Sequence, residues 1–183
     1  MVQYVQVTTE AELMGILHLQ QRNLAPNLTE AEKKSQGFLT VSHTLDILKK
    51  MHAIEPSIIA KDGELVIGYA LAMTPATKAD FPILIPLFDL FDRIEYKGKL
   101  ISTYNYMIVG QTCIDKTYRG KGVLQKLYAA YINRFRSNYN FAITEIATKN
   151  LRSRHAHEKI GFQTIHEYSA ADGIGWSVVL LEW

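Results

Sequence analysis

Residues 115–128 read DKTYRGKGVLQKLY, and no other stretch restricts the fold as much. The apolar run STYNYMIVGQTCI, 102–114, precedes them and has the look of a long strand. After them Leu124, Leu127, Tyr128, Tyr131 and Phe135 fall on one helical stripe, with Lys126 and Asn133 opposite. A strand that passes straight into an amphipathic helix belongs to a layered α/β domain. The loop between them also has a chemical consequence. The first turn of a helix offers unpaired N–H groups and a partial positive charge. Small residues let those groups close around a phosphate. Gly120 and Gly122 remove the side chains that would block such an approach, and Arg119 and Lys121 can add charge. The loop is not a Walker A motif, because no Ser or Thr follows a Gly-Lys pair at the right place. It is not the dinucleotide fingerprint either, because Gln125 holds the last glycine position. Taken alone, the same residues would also serve as a surface turn before a helix.

The rest of the chain alternates strands and helices. YVQV at 4–7 has strand alternation, and Thr8 or Thr9 with Glu12 can cap a helix carrying Leu13, Ile16, Leu17 and Gln20 on one face. Residues 24–43 are polar and irregular, with a short helix expected at TEAEKKS; Thr44 caps a helix at LDILKKM. SIIAKDGELVIGYALAM is a hairpin around Asp62-Gly63. Residues 74–99 read as an insertion, in which Leu87, Leu90, Phe91 and Ile94 predict a helix starting near Pro86. FAITEIAT is a strand, NLRSRHAHEKI a basic helix, and FQTIHEY and WSVVLLEW are final strands.

The length, 183 residues, suits one domain over 1–183 with that insertion. A single cysteine excludes an internal disulfide and leaves no metal-site spacing, so no metal is expected. It also points to a reducing compartment, with cytoplasmic as the default. No secretory leader is visible, and the apolar run FPILIPLF at 81–88 is too short to span a bilayer, so no membrane association is expected. Charge is uneven. Ten Lys/Arg and three acids lie between 115 and 160, a surplus of seven; the remainder has ten against fifteen, a deficit of five. A basic half beside an acidic half suits an anionic ligand, and equally a solvated helix face.

Two blocks give a specific resemblance. RGKGVL enters a helix after a strand, and Arg119, Gly122 and Leu124 match the Arg/Gln-x-x-Gly-x-Gly/Ala signature of the GNAT superfamily of acyl-CoA-dependent N-acetyltransferases, with Leu replacing the small last residue. NLRSRHAHEKIGF, 150–162, resembles the family's second block through Asn150, Glu158, Lys159, Gly161 and Phe162; Ser153 stands for Ala and His157 for the usual Tyr. The resemblance covers about residues 55–168. It implies an α/β (α+β) fold: a mixed, mostly antiparallel central sheet flanked by helices, with a V-shaped split between two central parallel strands. It implies acetyl-CoA as co-substrate, with its pyrophosphate on backbone N–H groups of Arg119, Gly120, Lys121, Gly122, Val123 and Leu124. Cys113 and Ile114 would pair with the pantetheine arm through main-chain groups, and Asn150 would contact that arm while capping its helix.

The implied reaction is transfer of an acetyl group to a primary amine of a small molecule or peptide, by direct attack in a ternary complex. His157, in the Tyr position, is the candidate general acid, and Glu145 on the strand beside the split is the candidate base. Both have plainer readings, His157 as a helix residue and Glu145 as one facing the wrong side. Tyr104, Tyr106 and Gln111 are candidates for lining an acceptor channel. Cys113 reads as a small buried hydrophobe rather than an acylated nucleophile. Two other functions compete: a CoA-binding module without catalysis, and a nucleic-acid binder suggested by NRFRSNYNF. No nucleic acid is expected, because CoA phosphates suit the same charges. WSVVLLEW could form a homodimer by pairing at an exposed sheet edge.

Overall fold

The structure is a computed structural model that describes residues 1–79 and 85–183. Pro82 and the first four residues of the apolar run 81–88 lie outside the described residues. Seven strands form the main sheet: β1 (Gln3–Gln6), β2 (Ile58–Asp62), β3 (Leu65–Met73), β6 (Tyr106–Ile114), β7 (Phe141–Ala147), β8 (Gln163–Ser169) and β9 (Gly175–Glu182). Two-residue strands β4 (Glu95–Tyr96) and β5 (Lys99–Leu100) pair with each other inside the expected insertion. The sheet order is β1-β2-β3-β6-β7-β9-β8. Each pair is antiparallel except β6–β7.

Helices cover both faces. On one face lie α1 (Glu10–Gln21), α3 (Leu45–Ile54) and α4 (Ile85–Phe91), which bury Ile16, Leu19, Leu48, Met51, Phe88 and Phe91 against the sheet. On the other, α5 (Val123–Phe135) buries Val123, Leu127, Tyr128, Tyr131 and Phe135. The short helices α2 (Glu30–Gln36) and α6 (Leu151–Glu158) contact each other beside the sheet. Local sequence accounts for these starts. Thr9 with Glu12 and Thr29 with Glu32 form complete capping boxes, and Thr44 caps α3. Each cap contributes about 1 kcal/mol.

Three expectations need correction. The strand placed at 102–114 begins at Tyr106, because Ile101–Thr103 form a 3₁₀ turn. The helix of the insertion stops at Phe91, and Ile94 is buried beyond its end. The terminal strand is not an edge. β9 lies between β7 and β8, so pairing of WSVVLLEW with a second chain is ruled out; the edges are β1 and β8. The physical reason lies in Val178–Leu181, buried without a break, as a strand covered on both faces requires.

The parallel pair holds the feature that shapes the site. β6 and β7 are registered only at Tyr106–Phe141, Met107–Ala142 and Ile108–Ile143, then separate. β6 carries one residue more than β3 between Val109 and Thr112, a bulge at Gly110–Gln111. Bulges bend their strand and increase its twist, and this one turns β6 away from β7. A Cβ on Gly110 would meet the sulfur of Met73, so any larger residue at the bend would have to push that side chain aside. The result is the V-shaped split. Among the described residues no helix is long and apolar enough to cross a membrane.

Candidate active site

Past the split, β6 runs into the glycine loop. Asp115 begins a 3₁₀ turn at Lys116–Tyr118, accepting from the Thr117 N–H and hydroxyl at 3.0 and 2.8 Å. Gly120 and Gly122 follow with φ of 74° and 77°. These are left-handed values, where a side chain is strained even though a Cβ at either site would meet nothing within 4 Å. Gly122 is the N-cap of α5 and offers no side-chain acceptor. The first N–H groups of a 13-residue helix are therefore uncapped, and Val123, Leu124 and Gln125 line a cavity in front of them.

That cavity has a volume of about 500 Å³. One wall is the loop, with Arg119, Gly120 and Gly122; another is α6 and the residue after it, with Arg152, His155 and Lys159. Their spacing, i, i+3 and i+7, places the three basic groups on one helical face. Among the described residues lining the cavity there is no carboxylate. A second, smaller cavity of about 150 Å³ adjoins it. Phe38, Leu39, Thr112, Asn150, Ser153 and His157 line both, so the two spaces meet at the split.

A strap, residues 37–43, crosses this junction. Asn150 Nδ2 donates to the Phe38 carbonyl at 3.1 Å while Asn150 Oδ1 caps α6 by accepting from the Ser153 N–H. Gln111 Nε2 donates to the Val41 carbonyl at 2.8 Å. The His43 N–H donates to Gln20 Oε1 at 2.8 Å. Gln20 Nε2 in turn donates to Gln111 Oε1, which also accepts from the Tyr69 hydroxyl. The strap is pinned by buried amides on α1, on β6 and at the start of α6, and by a backbone bridge in which the Leu39 N–H donates to the Asn23 carbonyl and the Leu39 carbonyl accepts from the Ala25 N–H, both at 2.9 Å.

Eight of the expected cofactor residues line the larger cavity: Cys113, Ile114, Arg119, Gly120, Gly122, Val123, Leu124 and Asn150. Lys121 does not; it is exposed, with its ammonium 5.6 Å from the centre of the Tyr118 ring. Leu124 is half-buried: it packs partly against the α5 core and also lines the cavity. Arg119 turns its guanidinium inward. It donates to the Ile114 carbonyl at 2.9 Å, to the Gln36 carbonyl at 3.0 Å and to Asn23 Oδ1 at 2.5 Å. The side chain thus ties the loop to β6, α2 and the segment after α1. Arg119→Ala leaves those acceptors without a partner, and bonds to a charged group are worth about 1.5–3 kcal/mol each. We expect roughly 2–4 kcal/mol of destabilisation in urea titrations, with no rescue by Lys, which lacks the fork geometry. An Arg119→Ala protein as stable as the wild type would contradict this bracing role.

Cys113 is buried, and burial pushes its thiol up to about 12, which leaves it protonated and unreactive. Of the three channel candidates, Gln111 lines the smaller cavity and the two tyrosines line neither; Tyr106 stacks on Phe141 in the core, and the Tyr104 hydroxyl donates to the Tyr96 carbonyl. Glu145 lines the smaller cavity. Burial raises its pKa, and the Tyr168 hydroxyl from edge strand β8 donates to Oε2.

His157 is buried at the junction. Its Nδ1 is 2.8 Å from the Ser153 carbonyl, which only accepts, so Nδ1 carries the proton. Its Nε2 therefore accepts from the Tyr128 hydroxyl at 2.8 Å, and Tyr128 accepts from Thr112 at 3.0 Å. Burial pushes the His157 pKa down to about 4, and partial burial takes that of half-buried His43 to about 4. Both rings are neutral at pH 7. In the unfolded chain a histidine titrates near 6.5. Between those values the unfolded state takes up protons that the folded state refuses. Stability is therefore full above about pH 6.5 and is lost as pH falls toward about 4, by up to roughly 3 kcal/mol per ring. The midpoint of urea unfolding should fall steadily across that window, and His157→Gln should flatten the slope. A wild-type midpoint constant from pH 7 to about 5 would contradict it.

Sequence reading missed Thr112, Tyr128 and the strap. The spacing of Arg152, His155 and Lys159 along the basic helix was legible in the sequence as one basic face.

The acetyltransferase (GNAT) family model matches residues 24–162. The chain belongs to this family, whose chemistry is acetyl transfer from acetyl-CoA. No curated protein sequence matches it. Among solved structures it is similar to the NatC complex bound to Gag peptide and CoA, at 14% identity and a TM-score of 0.67, covering 100% of this chain and 98% of the other. It is also similar to the ribosomal-protein-S18-alanine N-acetyltransferase from Escherichia coli, at 12% identity and a TM-score of 0.62, covering 100% and 94%. YncA from Salmonella typhimurium, with acetyl-CoA, is 13% identical with a TM-score of 0.63, covering 100% and 94%.

Proposed function

We propose that the chain, as one acetyltransferase domain, moves an acetyl group from acetyl-CoA to a primary amine by direct attack in a ternary complex. One observation carries this reading most. A roughly 500 Å³ cavity with no carboxylate among its described lining residues, walled by the uncapped start of α5 and a basic helical face, opens through the strand split into a second cavity that holds a carboxylate.

The N–H groups of Arg119, Gly120, Gly122, Val123 and Leu124 would hold the pyrophosphate, where the helix start favours negative charge. Lys121 would add long-range attraction from outside the cavity. Arg152, His155 and Lys159 face that position and would take the remaining phosphate charge. The pantetheine arm would run along Cys113 and Ile114 and past Asn150, toward the split that β6 leaves unpaired. Glu145, on the other side of the split, would take a proton from the ammonium so that a neutral amine can attack. Burial raises its pKa, which makes it a stronger base than an exposed carboxylate. We do not assign His157 as the acid: it is neutral and its one N–H is committed to Ser153. We assign it instead to holding Tyr128 and Thr112 at the junction. A thiol titrates near about 8.5, so thiolate departs without a dedicated donor. A lone free thiol favours a cytoplasmic setting.

Thermal shift with acetyl-CoA, followed by thiol release in the presence of amines, tests this reading. Stabilisation and amine-dependent thiol release are expected. Absence of stabilisation would overturn it. Stabilisation without thiol release across the panel would leave a CoA-binding module in its place.

A further inference from the structure

We propose that the smaller cavity is the acceptor site and that it takes a compact primary monoamine, one with neither a carboxylate nor a second cation. This rests on the acetyl-transfer reading and narrows it.

Size comes first. The cavity, at about 150 Å³, is less than a third of its neighbour. Pockets for drug-sized ligands begin at roughly 300 Å³. Its small volume suits an amine of a few heavy atoms.

Charge comes second. Among the described lining residues Glu145 is the only acid, and no Lys or Arg is present. The two histidines there, His43 and His157, are neutral. One ammonium can pair with Glu145. A carboxylate on the same ligand would find no cation, and a second ammonium no anion. Inside the cavity either would lie unpaired among these residues, at a cost to binding.

The walls come third. Val41, Met73, Leu87, Ile146 and Trp176 give the space an apolar lining for an alkyl body. The strap crosses the same space and is pinned to Asn150, Gln111 and Gln20. An extended polymer would have to displace it.

The reaction balances without a further reagent. The ammonium gives one proton to Glu145. The amine nitrogen bonds to the acetyl carbon, the carbon–sulfur bond breaks, and its electron pair leaves on sulfur. The amide nitrogen then loses its second proton, and one proton ends on the thiol.

The test uses the full chain, first with acetyl-CoA in a thermal shift and then in a thiol-release assay with four acceptors. These are isobutylamine, valine (the same skeleton with a carboxylate), putrescine and a glycine-terminated tetrapeptide. The expected kcat/KM for isobutylamine exceeds each of the others by at least roughly tenfold, the scale on which pockets discriminate. Any of the other three within tenfold of isobutylamine, or silence from all four with acetyl-CoA bound, overturns the proposal and leaves the CoA reading intact. Failure of acetyl-CoA to bind overturns the reading itself. Leu87→Ala enlarges the cavity and should shift the preference from isobutylamine toward benzylamine by roughly tenfold; an unchanged ranking also overturns the proposal.

Discussion

Gly122→Asp should abolish CoA binding and leave the fold standing. The substitution has room, since a Cβ at Gly122 meets nothing within 4 Å. Its φ of 77° costs a non-glycine residue about 1–2 kcal/mol, and a carboxylate at the start of α5 recovers part of that. We expect a fall in melting temperature of only a few degrees, since about 1 kcal/mol corresponds to roughly 2–4 °C at this size. Toward CoA the change is far larger. Charges of like sign about 4 Å apart repel by about 4 kcal/mol near a protein surface. The dissociation constant should rise by at least roughly 100-fold, or about 2.7 kcal/mol. Gly122→Ala separates the two effects, because it carries the same backbone strain without the charge and should bind CoA far better than the Asp variant. Calorimetric titration of both decides the matter. Unchanged affinity in Gly122→Asp would show that the loop is only a turn.

Glu145→Gln should lower kcat by roughly 10²- to 10⁴-fold, the usual contribution of a positioned base. Acetyl-CoA affinity should stay within about twofold, because Glu145 lines the smaller cavity only. The pH profile gives a second readout. Burial raises the Glu145 pKa, and the residue acts when ionised, so kcat/KM should fall as pH drops through that raised value. In Glu145→Gln this acid limb should vanish. Turnover equal to wild type would remove Glu145 from the mechanism.

Much of the architecture was legible because it is local. The Asp62-Gly63 hairpin, the caps at Thr9 and Thr44, and the α5 stripe depend on residues close in sequence. So does the glycine loop, whose positive φ values require the residues that stand there. What stayed hidden is non-local. The strap has no periodicity of its own; Asn150 and Gln111 pin it from 112 and 70 residues away. Arg119 reads as a phosphate ligand beside its glycines, yet acceptors on Gln36 and Asn23, 83 and 96 residues away, join the nearby Ile114 carbonyl in drawing its side chain inward. Histidine at 157 suggested an acid by its position in the block. Burial and a single carbonyl decide its state instead. The unbroken apolar run of β9 did signal an interior strand, but its place in the sequence, last, suggested an edge.

The central claim is that α5 and the loop before it hold the CoA pyrophosphate while the thioester reaches the strand split. A crystal structure of the chain with CoA tests it most directly. The account predicts pyrophosphate oxygens within hydrogen-bond distance of N–H groups among Arg119, Gly120, Gly122, Val123 and Leu124, with the sulfur beside Thr112 and His157. CoA bound away from that loop, or a pyrophosphate held by side chains alone with the α5 N–H groups facing solvent, would contradict it.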